Sequence, residues 1–272
     1  MDITGYALIT GGGSGIGKAS CRALAKTGAR GIFVADLNLE SAKQTASESQ
    51  AVAINPAFRA VAVHLDITVE ESVKSTIARM VETFGRIDYC VHSAGIRNVM
   101  FAEVANTNLA DVQHLLEVNV QGTFLIISHV LAAMRLQEAR QLHPTSPERG
   151  LTRGTFVNMA SLASYLPMPG MVQYVTSKHA VMGITRTAAF ENLSHNIRVN
   201  SILPSFVDTP MVRRGTELLP GVKMMLSKTP MGRLATVEEI TDVVLFLCSP
   251  MSSFCTGCEI IVDGGMSMGF NT

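Results

Sequence analysis

Short apolar runs alternate along this chain with longer stretches of helical period. Seven of the runs read as strands: Tyr6–Thr10, Ile32–Asp36, Val61–Asp66, Ile87–His92, Thr155–Ala160, Arg198–Leu203 and Glu259–Val262. Most are apolar on both faces, the pattern of strands covered by helices on each side. Between them, segments such as Ser72–Phe84 and Thr236–Cys248 carry apolar residues at helical spacing. Two openings have the sequence of a capping box, Thr68-Val-Glu-Glu71 and Thr236-Val-Glu-Glu239. Strand–helix alternation over the whole length predicts parallel strands joined by right-handed crossovers. The expected fold is therefore a doubly wound α/β sheet in a single domain spanning 1–272. Residues 137–154 break the rhythm. They are polar, contain Pro144 and Pro147, and predict a surface insertion. Such a segment could bind a partner, but its composition fits a solvated loop better.

Composition narrows the function classes. Hydrophobic residues make up 47% of the 272 positions and charged ones 16%, enough to build a large core without disulfides. Lys+Arg and Asp+Glu balance at 22 each, so no cationic excess is present to neutralise phosphates and a nucleic-acid partner is disfavoured. The five cysteines are scattered, unlike a secreted disulfide framework. Cys255 and Cys258 form a lone CxxC without a second ligand pair, so they read as small apolar residues around a turn and no metal is expected. The N-terminus lacks the charged and apolar regions of a signal peptide, which favours a cytoplasmic location. The most apolar stretch, Leu115–Met134, is interrupted by Glu117, Asn119, Gln121, Ser128 and His129 and reads as a core helix rather than a membrane span.

The chemistry starts at the end of the first strand, where Thr10-Gly11-Gly12-Gly13-Ser14-Gly15-Ile16-Gly17 leads into a helical segment. Glycines permit a tight turn and close approach to a pyrophosphate, while a helix N-terminus offers free N–H groups and the positive end of its dipole. Asp36 closes the second strand 19 residues beyond Gly17, near the spacing of about 20 at which a carboxylate takes the adenosine ribose hydroxyls. A 2′-phosphate would meet that negative charge, and neither Ser14 nor Leu37 supplies a compensating cation. NAD(H) is therefore expected over NADP(H). Tyr174 and Lys178 stand at i and i+4, on one face of a helix. A tyrosine of ordinary pKa, about 10, is a poor base at neutral pH. An ammonium about 4 Å away is worth up to about 4 kcal/mol at an effective dielectric near 20. That could lower the phenol pKa by up to about 3 and ready it to exchange a proton with a carbinol or carbonyl oxygen. Ser161, 13 residues before Tyr174, follows the fifth strand.

TGGGSGIG, Asp66-Ile67, His92-Ser-Ala-Gly95, Asn119, Ser161, Tyr174-Val-Thr-Ser-Lys178, Arg198-Val-Asn-Ser-Ile-Leu-Pro204 and Val262-Asp-Gly-Gly265 occur in this order. The ordered set resembles short-chain dehydrogenases/reductases over nearly the whole chain. The resemblance implies a Rossmann-type sheet and a catalytic group of Asn119, Ser161, Tyr174 and Lys178. It assigns the serine to the substrate oxygen, the lysine also to the nicotinamide ribose, and the asparagine to a water that links the lysine to solvent. It implies cofactor contacts from Gly11, Ser14, Gly15, Ile16, Gly17, Asp36, Leu37, Asp66, Ile67, Ser93, Ala94, Gly95, Val207 and Thr209, as well as from Tyr174 and Lys178. It further implies a homotetramer or homodimer, built partly through the helices that carry Asn119 and Tyr174. Two departures stand out: His92-Ser93 where the family has Asn-Asn, and Pro204-Ser205 where it has Pro-Gly. Losing an asparagine at Ser93 would loosen hydrogen bonds near the adenine ribose, and Ser205 would narrow the nicotinamide pocket. His92 reads as a satisfied core histidine.

Residues 210–233 would form a substrate lid. Their Met211, Leu218, Leu219, Met224, Met225 and Leu226, with Leu162, Tyr165, Met168 and Met171 before the tyrosine, suit a bulky apolar alcohol or ketone. Arg213, Arg214 and Lys223 leave room for an anionic group. The reading is an NAD(H)-dependent oxidoreductase acting on a small molecule, soluble and without a membrane or nucleic-acid partner. The alternatives are a redox-neutral isomerisation or dehydration on the same fold, or a nicotinamide-binding regulator.

Overall fold

The computed structural model describes residues 3–97, 101–143, 145–213 and 229–269. Its sheet contains β1 (Tyr6–Thr10), β2 (Gly31–Asp36), β3 (Arg59–His64) and β4 (Tyr89–His92). After a two-residue pair, β5 (Arg140–Gln141) and β6 (Leu151–Thr152), it continues with β7 (Gly154–Met159), β8 (Ile197–Pro204) and β9 (Glu259–Val262). The helices are α1 (Gly15–Lys26), α2 (Leu39–Val52), α3 (Glu70–Phe84), α4 (Leu109–Leu116), α5 (Gly122–Leu136), α6 (Val172–Glu191) and α7 (Val237–Cys248).

The main sheet is parallel throughout, in the order β3-β2-β1-β4-β7-β8-β9. Alternate residues of each strand feed opposite cores. Ile9, Val34, Val91 and Val157 pack under α1, α2 and α7, through Leu24, Ala42 and Val244 among others. Leu8, Phe33, Cys90 and Phe156 pack under α3, α5 and α6, against Ile77, Ile126 and Ala188. Period-two alternation with both faces apolar is what makes this a three-layer molecule. The run Leu109–Leu136 is long and apolar enough to cross a membrane by length and composition, yet Ile126, Ile127, Val130 and Met134 are spent on the sheet.

Several local differences separate the fold from the sequence reading, among them the start of β4 at Tyr89 where the apolar run begins at Ile87. β3 lies two residues earlier than its apolar pattern, leaving Asp66 beyond the strand end. The capping box at Thr236 forms, whereas the one at Thr68 does not. Thr68 instead gives its hydroxyl and its N–H to Asp66 Oδ1, at 2.7 and 2.9 Å, and Val69 becomes the residue before α3. The Thr68 hydroxyl is thereby turned back toward the Asp66 carboxylate, a charged acceptor two residues away, and not toward the N–H groups that open α3. The 137–154 insertion is a small antiparallel hairpin, Arg140 opposite Thr152 and Gln141 opposite Leu151, rather than an open loop. Gln137 anchors its base, accepting from Ile87 N–H at 2.6 Å and donating to Ile87 O at 2.9 Å.

The strand order reverses direction between β1 and β4. Crossovers lead outward from both, so the loops after these two strands splay apart and open a crevice at their carboxyl ends.

Candidate active site

The turn from β1 into α1 forms one wall of that crevice. Gly11 and Gly15 have φ of 65° and 49°, left-handed values at which a side chain is strained. Gly17 tucks beneath the turn, and a Cβ there would collide with the Gly11 carbonyl oxygen. A Cβ on Gly11 would come within 2.7 Å of Ala94 N, so the turn also seats against the loop after β4. Ser14 precedes α1 in an extended conformation and its side chain does not cap the helix. The first-turn N–H groups and the positive dipole end therefore face the crevice, an arrangement suited to a pyrophosphate.

Asp36, at the end of β2, braces the turn. Its Oδ2 accepts from Gly13 N–H and its Oδ1 from Asn38 N–H, both at 2.9 Å. A carboxylate oxygen has a second lone pair for a ribose hydroxyl. Asp66, one strand further out, is held below the usual carboxylate range by its bonds from Thr68.

Beneath the centre lies a buried polar chain. His92 meets Thr10 Oγ1 through Nδ1 at 2.7 Å and Thr123 Oγ1 through Nε2 at 2.9 Å. Thr123 donates to the Asn119 carbonyl at 2.6 Å. Burial, then the charge of Lys178, pushes the His92 pKa down to about 3, so the ring is neutral. Asn119 sits in a π-turn, Glu117–Gln121, between α4 and α5. Its side chain clamps the backbone of Ile96 from both sides: Ile96 N–H donates to Oδ1 and Nδ2 donates to Ile96 O, each at 2.8 Å. Nδ2 also reaches Ser177 Oγ at 3.1 Å.

Ser161, Tyr174 and Lys178 converge at the other wall. Ser161 follows β7 and precedes a short turn, where its Oγ accepts from Ala163 N–H at 3.1 Å and leaves its own proton to donate elsewhere. Tyr174 and Lys178 project from α6 one turn apart, with Lys178 Nζ 5.7 Å from the phenol ring centroid. That ammonium donates to Met159 O at 3.0 Å, and burial pushes its pKa down to about 8.

Spacing alone assigned Lys178 the job of acidifying Tyr174. Instead, burial pushes the phenol pKa up, and the groups that offset this are the Ser161 hydroxyl and then the charge of Arg97. One ammonium N–H of Lys178 is directed at the Met159 carbonyl, and desolvation is the largest influence on both groups.

These parts line one cavity of about 530 Å³. Of the expected site residues, Gly17 and Asn119 do not line it, because each works beneath its wall. All the others do. Met168, Met171 and Met211 face it, whereas Leu162 is in the core and Tyr165 turns to solvent. Arg213 pairs with Asp208 at 2.7 Å. The remaining residues named for the lid, Arg214, Leu218, Leu219, Lys223, Met224, Met225 and Leu226, lie outside the described residues. Sequence reasoning passed over Arg97, Phe101, His114, Phe206 and Met266, which are also among the lining residues. For Arg97 a signal existed: a cation two positions after the Ser-Ala-Gly motif.

The cavity can hold a dinucleotide across the β1–β4 crevice and bring a small molecule against the Ser161–Tyr174 pair. Comparisons with known proteins agree with this geometry. A family model described as enoyl-(acyl carrier protein) reductase matches residues 11–267. The short-chain dehydrogenase fogB of Aspergillus ruber is 49% identical over 269 residues, covering 98% of each chain. The 2,5-dichloro-2,5-cyclohexadiene-1,4-diol dehydrogenase of Sphingobium indicum is 35% identical over 268 residues, again covering 98% of each. Among solved structures, levodione reductase superposes with a TM-score of 0.86 at 26% identity, covering 99% of this chain and 100% of that one.

Proposed function

Since this chain belongs to the short-chain dehydrogenase/reductase family, an oxidoreductase family, we propose that it uses NAD(H) to interconvert a secondary alcohol and a ketone on a bulky, largely apolar substrate. The observation that carries this reading is the convergence of Ser161, Tyr174 and Lys178 on one cavity with the glycine turn and Asp36. The glycine turn fits a dinucleotide, because its tight backbone and the uncapped start of α1 leave a cradle that side chains would fill.

Bound nicotinamide supplies or receives the hydride. The chain's own residues manage the oxygen and its proton. Ser161 donates its hydroxyl proton to the substrate oxygen and stabilises charge as it develops. Tyr174, kept protonated by burial, delivers its proton from Oη to that oxygen during reduction and takes it back during oxidation. Lys178 holds positive charge beside the phenol below about pH 8 and can hydrogen-bond the nicotinamide ribose. Asn119 fixes Ile96 and Ser177, and so the spacing between the β4 loop and α6.

Asp36 supports NAD(H), since the Lys and Arg side chains lining the cavity among the described residues, Arg97 and Lys178, follow β4 and lie on α6, away from the end of β2. The apolar methionines and the relative named for a cyclohexadiene-diol support a cyclic alcohol or ketone. Fluorescence titrations with NADH and NADPH provide the first test. Tight NADH and weak NADPH binding is the expected outcome; the reverse would overturn the cofactor choice, and binding of neither would overturn the whole reading.

We also infer a homotetramer or homodimer. Exposed Leu109, Phe124 and Phe190, on α4, α5 and α6, support helix-to-helix assembly, since exposed large apolar groups can mark contact sites. Light scattering should report two or four chains per particle, and a stable monomer would refute the assembly.

A further inference from the structure

Building on the reading just given, the geometry points to Arg97 as a specificity-determining residue that binds a second oxygen on the substrate, one carried on the same ring as the reacting carbonyl. Arg97 follows Ile96, whose N–H and C=O are both clamped by Asn119, so its backbone is held firmly at the cavity wall. The side chain lines the cavity and is half-buried. It has no carboxylate or hydrogen-bond partner among the described residues. The carboxylates of the cavity, Asp36 and Asp66, lie beyond β2 and β3, on the far side of β1 from the β4 loop.

A guanidinium partly withdrawn from water without a hydrogen-bond partner is unfavourable, and its surroundings in the cavity, His114 apart, are largely apolar, with Phe101, Val118, Met168 and Met171. An oxygen acceptor arriving with the substrate would complete it. The substrate then has three anchor points: the reacting oxygen at Ser161 and Tyr174, an apolar ring against the methionines, and a carbonyl, hydroxyl or carboxylate oxygen at Arg97. A relative at 35% identity named for a cyclic 1,4-diol fits that description.

The test uses the full-length protein with whichever reduced nicotinamide it binds, following cofactor oxidation with cyclohexanone, cyclohexane-1,4-dione and 4-oxocyclohexanecarboxylate. The wild type should prefer the two substrates bearing a second oxygen by about 10- to 100-fold in kcat/KM, the range of one charge-assisted hydrogen bond. Arg97→Met should erase the preference, mainly through KM, whereas the loss of its charge near Tyr174 would alter kcat for all three ketones alike and leave their ratio unmoved. Arg97→Lys should restore part of it. Because Arg97 bonds no described residue, the methionine variant should keep the wild-type melting temperature. Equal slowing of all three ketones by Arg97→Met would show that the arginine serves Tyr174 and would overturn the proposal. A preference that survives the substitution, or no preference in the wild type, would overturn it as well. A wild type that binds the cofactor but reduces none of the three would instead sink the oxidoreductase reading, and this proposal with it.

Discussion

Replacing Tyr174 with phenylalanine should slow ketone reduction by about 10²- to 10⁴-fold, the usual contribution of a positioned general acid. The ring still fills its place on α6, so the melting temperature should hold while turnover collapses; a Tyr174→Phe enzyme retaining a tenth of wild-type turnover would mean that another group supplies the proton. The same chemistry sets the pH profile. Burial holds the Tyr174 phenol protonated above the usual range, so its proton is available across neutral pH. Lys178, pushed down to about 8, carries its charge below that pH and loses it above. Reduction should therefore stay level through neutrality and decline as pH rises past about 8. The decline should fade in Lys178→Arg, whose charge does not titrate in that range.

The second large effect concerns the cofactor. Asp36→Ser should raise the ratio of NADPH to NADH affinity by about 100-fold or more. A carboxylate and a phosphate oxygen about 4 Å apart repel by up to about 4 kcal/mol at an effective dielectric near 20, and each 1.36 kcal/mol is tenfold. The serine also removes the acceptor for the ribose hydroxyls, so NADH binding should weaken at the same time. It further removes the brace on Gly13 N–H and Asn38 N–H. A Gly13 turn loosened by that loss would weaken both cofactors equally. Titrating both against the variant separates the two effects, and an unchanged ratio would remove Asp36 from the specificity argument.

Much of the architecture was legible because parallel strands with covered faces leave a plain mark in the sequence. β1 and β9 lie where their apolar runs end, and the glycine turn announced the crevice. What was misread depended on neighbours. β3 begins at Arg59 because its register is set by pairing with β2, Gly31 opposite Arg59, which a hydrophobic pattern cannot reveal. Thr68 had the right residue three positions later for a capping box, but its hydroxyl and N–H both turn to Asp66, and α3 starts one residue later than the box requires. The hairpin in 137–154 rests on a Gln137 side chain reaching across to Ile87, a contact fifty residues away in sequence. The catalytic candidates were visible as an ordered set of motifs, whereas their electrostatics were not. An i, i+4 spacing gives proximity, and only the folded surroundings tell how strongly burial opposes charge. Arg97 carried only the weak signal of a cation two positions past the Ser-Ala-Gly motif, and its place in the site emerges once the β4 loop and α6 face each other.

The buried polar chain under the crevice has a direction. Thr123 has committed its hydroxyl proton to the Asn119 carbonyl, so it can only accept from His92, which must carry its proton on Nε2. Nδ1 is then the acceptor, and Thr10 must donate to it while accepting from Ala94 N–H at 3.3 Å. Every proton in the row has one permitted place. An imidazolium, with two donors and no acceptor, would break the sequence at Thr10. The directed row ends at the Asn119 carbonyl, and the Asn119 side chain, accepting from Ile96 N–H and donating to Ile96 O, joins the end of β1 to the wall that would meet a substrate.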